Sequence, residues 1–192
     1  MQKNNYKIIA IGSSAGGPKV LKEILGSIPR QFPLGIIIVQ HITEGFVEGL
    51  VEGLNKTSLI EVKLAETGER VRGGTALFAP DKCHTIVNKK GRIELTSAPP
   101  LRGHRPSIDL LMESIAKVYG TQAIGVLLTG MGNDGARGLK AIKEAGGITM
   151  VQDEMSCTVF GMPKAAIDLG AVDEVLSPRG LIDRLLSLGA EA

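Results

Sequence analysis

A serine, a histidine and an aspartate each follow a short apolar run of the chain. Ser14 lies in the segment GSSAG at residues 12–16, which matches the G-x-S-x-G pattern of a strand-to-helix turn that exposes a serine hydroxyl. His41 directly follows the next apolar run, and Asp134 lies in a segment with three glycines at residues 128–136. A nucleophilic hydroxyl, a base that takes its proton and a carboxylate that orients the base are the groups used for acyl transfer.

Each of the three segments also fits a role without catalysis. The glycine-rich turn could bind a phosphate group at a helix N-terminus, although Pro18 occupies the position of the Walker A lysine. A lone His41 suits a surface histidine, and Asp134 suits the N-cap of the helix that follows it. Because all three follow predicted parallel strands, they favour a catalytic set in which Asp134 binds the Nδ1–H of His41.

Two more histidines and two cysteines are of residue types that could do chemistry. His104 lies in a loop before a predicted helix and is our second choice for the base, whereas His84 lies in a predicted hairpin and suits a structural role. Cys83 and Cys157 have no C-x-x-C partner, so neither a zinc site nor a disulfide framework is expected. Unpaired thiols suit a reducing cytoplasm. The chemistry predicted from Ser14 needs no metal and no other cofactor.

The candidate residues are positioned by short apolar runs that alternate with segments of helical periodicity. Continuous apolar strands separated by helices predict an α/β fold: a doubly wound, mostly parallel sheet with helices on both faces. In such a sheet, ligands bind beyond the carboxyl ends of the strands. The predicted strands are residues 7–11, 36–40, 123–128 and 148–151, and the predicted helices lie at residues 18–28, 47–54, 108–118, 139–145, 164–168 and 181–186.

The middle of the chain follows a different pattern. Short strand-like segments occur at residues 61–64, 75–79, 85–87 and 92–96. The turn signal Asn88-Lys-Lys-Gly91 separates the last two of them, which predicts a small antiparallel hairpin at one edge of the sheet. No change of composition marks an internal boundary. Residues 1–192 are therefore expected to form a single domain, with the polar residues 1–6 as the remnant of a linker.

The composition argues against several classes of protein. The chain has 192 residues, of which 43% are hydrophobic and 22% are charged, as in an ordinary globular domain. Its formal net charge is only +2, aromatic residues make up 3% and tryptophan is absent, so a nucleic-acid partner is not expected. The longest apolar runs are too short to span a bilayer, so no membrane insertion is expected either.

Six segments of the chain match the patterns of one known family. They are residues 11–17, Gln40-His41, residues 68–71, residues 104–107, Leu128-Thr-Gly-Met-Gly-Asn-Asp-Gly135 and Val159-Phe-Gly-Met-Pro163. Across residues 7–176 the chain resembles the catalytic domain of the chemotaxis protein-glutamate methylesterase/protein-glutamine glutaminase family. The last two segments are long enough to make this resemblance specific.

The resemblance implies a function and assigns its residues. It implies a serine esterase that hydrolyses glutamyl methyl esters, and deamidates particular glutamines, in the cytoplasmic helices of chemotaxis receptors, which gives receptor adaptation. The family's nucleophile, base and orienting acid fall on Ser14, His41 and Asp134, and Met131 matches a residue beside the oxyanion. Members often have threonine where this chain has Ala15, so backbone N–H groups near Ala15 and Met131 are expected to bind the oxyanion.

The resemblance also implies partners, and some alternatives remain open. Full-length members carry an N-terminal receiver domain that blocks the site, and the methylated receptor helix would rest on a rim that contains Arg102 and Arg105. These two arginines could equally be ordinary solvated side chains. The main alternative function is a phosphate- or nucleotide-binding regulatory module that uses the same glycine-rich loops. A second alternative is an esterase or amidase for a small metabolite.

Overall fold

A computed structural model of the protein describes residues 6–192. The predicted linker remnant lies outside the described residues apart from Tyr6, whose side chain is buried in the core. No helix among the described residues is long and apolar enough to cross a membrane.

The centre of the fold is a seven-stranded sheet in which every pair of neighbouring strands is parallel. The strands are β1 (Ile8–Ser13), β2 (Gly35–Gln40), β3 (Glu61–Leu64), β4 (Thr75–Phe78), β7 (Ala123–Leu127), β8 (Ile148–Gln152) and β9 (Glu174–Leu176). Their order across the sheet is β3-β4-β2-β1-β7-β8-β9, so the sheet extends from β1 in both directions, with β4 inserted between β2 and the edge strand β3. This arrangement confirms the predicted doubly wound α/β fold.

Six helices cover the two faces of the sheet within residues 6–192. They are α1 (Gly17–Ser27), α2 (Val47–Thr57), α3 (Ile108–Tyr119), α4 (Ala136–Glu144), α5 (Met162–Asp168) and α6 (Pro178–Ala190). Side chains alternate between the faces along each strand, so Ile9 and Ile11 of β1 pack with α1, α2 and α6. Ile8 and Ala10 point the other way and pack with α3, α4 and α5. Burial on both faces explains why β1 and β2 are apolar throughout.

The predicted hairpin forms between β5 (His84–Val87) and β6 (Ile93–Thr96). These strands make a separate two-stranded sheet instead of extending the main one, because β3 and β4 occupy the main sheet's edge on that side. The hairpin is fastened to α3, where the backbone N–H of Val87 donates to Ser114 Oγ at 2.9 Å.

Strand register brings the candidate residues to one edge of the sheet. β2, β1 and β7 are neighbours, with Ser13 paired to Gln40 and Gly12 paired to Leu127. Ser14, His41 and the loop that carries Asp134 therefore leave three adjacent strands at the same level. The expectation that the three residues follow parallel strands at a shared edge is confirmed.

Candidate active site

The turn after β1 separates a buried serine from an accessible one. Ser13 is fully buried, and its hydroxyl donates to Gln40 Oε1 at 2.6 Å. Ser14 is half-buried, and among residues 6–192 its hydroxyl has no hydrogen-bond partner. The chain then turns through Gly16 in the left-handed region at φ 83° and enters α1. Only Ser14 is thus free to act as a nucleophile.

The loop between β7 and α4 lies directly against this serine. A Cβ atom on Gly130 would be 2.8 Å from Ser14 Cβ and 3.2 Å from Ser14 N, so any larger residue would push the loop away. The backbone N–H of Ser14 donates to Thr129 O at 3.0 Å, which fixes the same contact from the other side. The glycine in this segment is therefore needed for close approach.

His41 and Asp134 form the second contact of the site. His41 Nε2 lies 3.0 Å from Asp134 Oδ2, and the side chains are 14% and 5% exposed. The N–H is imperfectly aligned with this oxygen, and Nε2 has no other partner among the described residues. The prediction of a contact through Nδ1 was wrong. His41 follows β2 and Asp134 follows β7, with β1 between them, so only the distal ring nitrogen reaches across.

The carboxylate of Asp134 is held by the N-terminus of α3. Oδ1 accepts from Ser107 Oγ at 2.9 Å and from the N–H of Asp109 at 3.1 Å, and Oδ2 accepts from the N–H of Ile108 at 2.8 Å. Burial would raise the pKa of Asp134, but the hydrogen bonds from His41 and from these backbone groups outweigh it, and the pKa lies below its ordinary value. Asp134 is therefore ionised at neutral pH.

Asp109 completes a reciprocal arrangement that sequence reasoning missed. Its Oδ1 accepts from the backbone N–H groups of Gly135 and Gly138, at 2.9 and 2.8 Å, at the N-terminus of α4. Asp134 thus caps α3, which carries Asp109, and Asp109 caps α4, which follows Asp134. Asp134 does not cap its own helix, contrary to the simplest alternative. Burial, followed by the charge of Asp134, keeps the pKa of Asp109 above its ordinary value despite these hydrogen bonds.

The other two histidines lie near the site in different roles. His104 stacks on His41 with ring centroids 4.4 Å apart and planes within 2° of parallel. His84 is buried, and its Nδ1 accepts from Ser107 N at 3.2 Å, so it supports the residue that binds Asp134. Ligand atoms of His41, His104 and Asp134 lie within 4.8 Å of one another, a spacing that a metal could use. Lone pairs of parallel stacked rings do not converge on one point, however, so His41 and His104 are poorly arranged to bind one metal ion together.

Two backbone N–H groups next to the serine are available for an oxyanion. Those of Ala15 and Met131 have no acceptor within residues 6–192. Thr129 Oγ1 donates to the carbonyl of Ala15 at 2.9 Å and thereby orients the turn. The Met131 side chain is 74% exposed, so it lies at the rim of the site.

Comparison with known proteins identifies the family. The family model "CheB methylesterase" matches residues 9–185. The chain belongs to this family. A protein-glutamate methylesterase/protein-glutamine glutaminase of Geobacter metallireducens is 48% identical over 186 residues, which are 96% of this chain and 54% of the relative. The methylesterase FrzG of Myxococcus xanthus is 48% identical over 171 residues, which are 89% of this chain and 51% of the relative.

A solved structure supports the same relationship. The catalytic domain of the Thermotoga maritima CheB methylesterase superimposes with a TM-score of 0.92 at 38% identity, covering 95% of this chain and 98% of that one. The predicted resemblance is therefore confirmed. The chain spans about half the length of the curated relatives it matches. These comparisons support the esterase reading over the phosphate-binding module.

The two predicted rim arginines lie in different surroundings. Arg105 is exposed, donates to the carbonyls of Ser97 and Ala98 at 3.3 Å, and lines a cleft of about 300 Å³ beside His41. Arg102 Nη1 instead lies 3.5 Å from Asp109 Oδ2, so its charge faces the buried carboxylate behind the site. Of the two, only Arg105 lines the cleft beside His41.

Proposed function

We propose that this chain is a protein-glutamate methylesterase domain whose nucleophile, base and orienting acid are Ser14, His41 and Asp134. The observation that carries the proposal is the 3.0 Å contact between His41 and an ionised Asp134 on strand ends that flank the one accessible serine of the turn. The named relatives supply the reaction, since they are methylesterases and glutaminases of protein glutamate and glutamine.

In the first half of the reaction, Ser14 Oγ attacks the ester carbonyl and His41 takes its proton. Nδ1 is the receiving nitrogen because Nε2 faces Asp134. The bond to the methoxy oxygen then breaks, the proton passes from His41 to this oxygen, and methanol leaves. The products are methanol and a glutamyl ester of Ser14.

Water reverses these steps in the second half. His41 removes a proton from the water, which attacks the glutamyl-serine ester, and returns that proton to Ser14 Oγ as the ester bond breaks. Each tetrahedral intermediate carries a negative oxygen that the N–H groups of Ala15 and Met131 would bind. Donors of this kind are worth about 3 kcal/mol each. With a glutamine substrate, the same steps release ammonia.

The substrate would be a methylated glutamate on a cytoplasmic helix of a chemotaxis receptor, and the consequence would be receptor adaptation. The open cleft beside His41 supports a side chain that projects from a larger partner. An N-terminal receiver domain in the full-length protein is a further proposed partner, because the curated relatives are about twice as long as the matched region. The free thiols of Cys83 and Cys157 support a cytoplasmic location.

Methanol release from methylated receptor cytoplasmic fragments tests this proposal. We expect turnover by the isolated chain without phosphorylation, and complete loss after treatment with a serine-directed phosphonate. A Ser14→Ala variant is the control for methanol released without catalysis. Hydrolysis of a small generic ester together with no release from receptor fragments would contradict the receptor substrate and favour a small-metabolite esterase.

The rim proposal is tested most cleanly at Arg105. Charge reversal at Arg102 would also disturb Asp109, whereas Arg105→Glu alters only exposed contacts to backbone carbonyls. If Arg105 faces an acidic receptor helix, this change raises KM for receptor fragments and reduces its dependence on salt. The KM for a small uncharged ester should not change. Equal KM values and equal salt dependence would remove Arg105 from the docking surface.

A further inference from the structure

Gln40, the last residue of β2, lies between the nucleophile and the base. Its side chain is buried with 5% exposure and uses both ends of its amide group. Nε2 donates to the carbonyl oxygen of Ser14 at 2.9 Å and to that of His41 at 2.8 Å. Oε1 accepts from the hydroxyl of Ser13 at 2.6 Å. A single amide therefore touches the backbone of both reacting residues.

These bonds link two segments that regular strand pairing no longer holds together. β1 and β2 end at Ser13 and Gln40, and the last backbone contact between them is from His41 N to Ser13 O at 2.9 Å. Beyond this point the backbones of Ser14 and His41 diverge into separate loops. The Gln40 amide is the group that joins their two carbonyls.

The surroundings leave the amide no freedom to turn. A Cβ atom on Gly17 would lie 2.3 Å from Gln40 Oε1 and 2.8 Å from Ser13 Oγ, so α1 packs directly on the bonded pair. The orientation of the amide also follows from its partners, since two carbonyl oxygens require the donor end and the Ser13 hydroxyl can donate to the other.

We infer that Gln40 is a positioning residue that sets the distance between Ser14 and His41. The inference rests on the proposed roles of those two residues. Gln40 does not touch substrate in this role; it acts by holding the two backbones from which the hydroxyl and the imidazole project. A small misplacement of a nucleophile and its base is enough to slow acyl transfer strongly.

Gln152 provides a matched control elsewhere in the sheet. It is likewise the last residue of its strand, β8, is fully buried and has both ends of its amide bonded. Its Oε1 accepts from Thr129 N at 2.9 Å and its Nε2 donates to Ser156 O at 2.9 Å. Neither Ser14 nor His41 is among its partners, and it reaches the turn only indirectly, through Thr129, whose carbonyl accepts from the N–H of Ser14. Loss of this amide should therefore cost folding stability similarly without acting directly on the catalytic pair.

The experiment compares Gln40→Met with Gln152→Met, two changes that keep side-chain length and remove the same kind of hydrogen bonds. We expect kcat for a small ester to fall about 10- to 100-fold in Gln40→Met, with KM little changed. The loss in Gln152→Met should be at least about tenfold smaller, at a similar loss of thermal stability. Equal losses of kcat in the two variants would overturn the inference.

Gln40→Glu adds a pH signature that a purely structural role would not give. A protonated glutamic acid keeps one donor for the two carbonyls, whereas the carboxylate keeps none. The ratio of kcat in Gln40→Glu to that of the wild type should therefore fall as pH rises, while the ratio for Gln40→Met stays constant. A pH-independent ratio in Gln40→Glu would contradict the inference, and this variant serves if Gln40→Met does not fold.

A readout without turnover separates this inference from the proposed function. The backbone amide resonances of Ala15 and Ile42 follow the two bonded carbonyls in the chain. They should shift in Gln40→Met and not in Gln152→Met. A wild-type protein without esterase activity would contradict the proposed function alone. Unshifted resonances in Gln40→Met would contradict the inference that the Gln40 amide joins the carbonyls of Ser14 and His41.

Discussion

The two sides of the candidate site are held together in different ways. On the β1–β2 side, Ser14 and His41 leave adjacent strands whose register already brings them side by side, and one neutral amide joins them. On the β7 side, Asp134 lies in a loop, and its carboxylate is fixed by the N-terminus of a helix that is distant in sequence. The first side relies on strand pairing, and the second on charge placed at helix ends.

This difference indicates which side tolerates change. Backbone pairing is set by the apolar core and survives the loss of one side chain, so the β1–β2 side should fold well even in inactive variants. On the other side, the proposed catalytic role of Asp134 is combined with the packing of α3 on α4, because Asp134 accepts from the start of α3 and Asp109 accepts from the start of α4. Substitutions that remove these hydrogen bonds should lower activity and stability together.

The largest effect is expected at the serine of the strand-paired side. Ser14→Ala should lower kcat by about 10⁴-fold or more while the melting temperature changes little, because this hydroxyl has no partner among residues 6–192. Ser13→Ala should keep far more activity but lose stability by about 1–3 kcal/mol, because it leaves Gln40 Oε1 unbonded. An active Ser14→Ala and an inactive Ser13→Ala would shift the nucleophile by one residue.

Asp134→Asn is expected to have the next largest effect. Unlike Ser14→Ala, it should lower both kcat and the free energy of unfolding. An amide at this position favours the wrong imidazole tautomer, so kcat should fall by about a hundredfold or more. Its N–H₂ group would also face donors at the start of α3, so unfolding free energy should fall by about 1–3 kcal/mol. Kinetics and urea unfolding measure the two losses, and near-normal activity would reduce Asp134 to a helix cap.

The sign of the pH effect at Asp134 follows from its lowered pKa. A carboxyl whose pKa is lower in the folded state stabilises the protein above its unfolded pKa of about 3.9, and this contribution is lost as pH falls through the folded value. The stability difference between wild type and Asp134→Asn should therefore shrink in acid. A difference that stays constant to the lowest pH would show that the charge is not what stabilises the fold.

The sequence predicted the β1–β2 side of the site well, because short segments of the chain are enough to identify its strands and its turn. Apolar runs marked β1 and β2, the glycine-rich turn marked Ser14, and parallel pairing put His41 beside it. The position of Asp134 after a strand was equally readable. The ring nitrogen of His41 that contacts Asp134 could not be predicted in this way. It depends on β1 lying between β2 and β7, and no single segment of the sequence determines the strand order.

The supporting residues were missed for the same physical reason. Asp109 reads as an ordinary acidic residue in the first turn of a helix, and Gln40 as the polar end of an apolar strand. Their roles arise from contacts 26 and 29 residues away at Gly135 and Gly138, or 26 residues away at Ser14. Buried polar residues at strand or helix ends are the signal that could have found them, since burial requires partners.

Asp109→Asn changes the same side of the site as Asp134→Asn, but its effect on kcat should be smaller. The asparagine oxygen can still accept from Gly135 and Gly138, but the buried charge next to Asp134 is removed. Because the pKa of Asp109 is raised in the folded state, its ionised form costs stability at neutral pH, and that cost disappears as pH falls to about 3.9. The variant should thus be at least as stable as wild type at pH 7 and lose this advantage in acid, with kcat reduced only a few-fold.

Urea unfolding of Asp109→Asn across pH measures this directly. A large loss of stability at pH 7 that shrinks as pH falls would instead mean that the Asp109 charge, with Arg102 Nη1 3.5 Å from Asp109 Oδ2, stabilises the fold. That result would contradict the raised pKa of Asp109 in the folded state.

The smallest effect on kcat is expected from substitution of the two cysteines. One of them lies near each side of the candidate site. Cys83 follows the loop that lines the cleft beside His41, and Cys157 follows the end of β8, where its Sγ lies 3.9 Å from Gln152 O. Burial raises the pKa of Cys83, and it raises that of Cys157 to about 11, so both remain neutral thiols at pH 7 and are poor nucleophiles. The double Cys→Ser variant should therefore keep wild-type kcat within about twofold and still react with a phosphonate at Ser14. Should a thiol reagent inactivate wild type but not this variant, and should Ser14→Ala remain active, the reaction would belong to a cysteine and neither side of the site would have its proposed role.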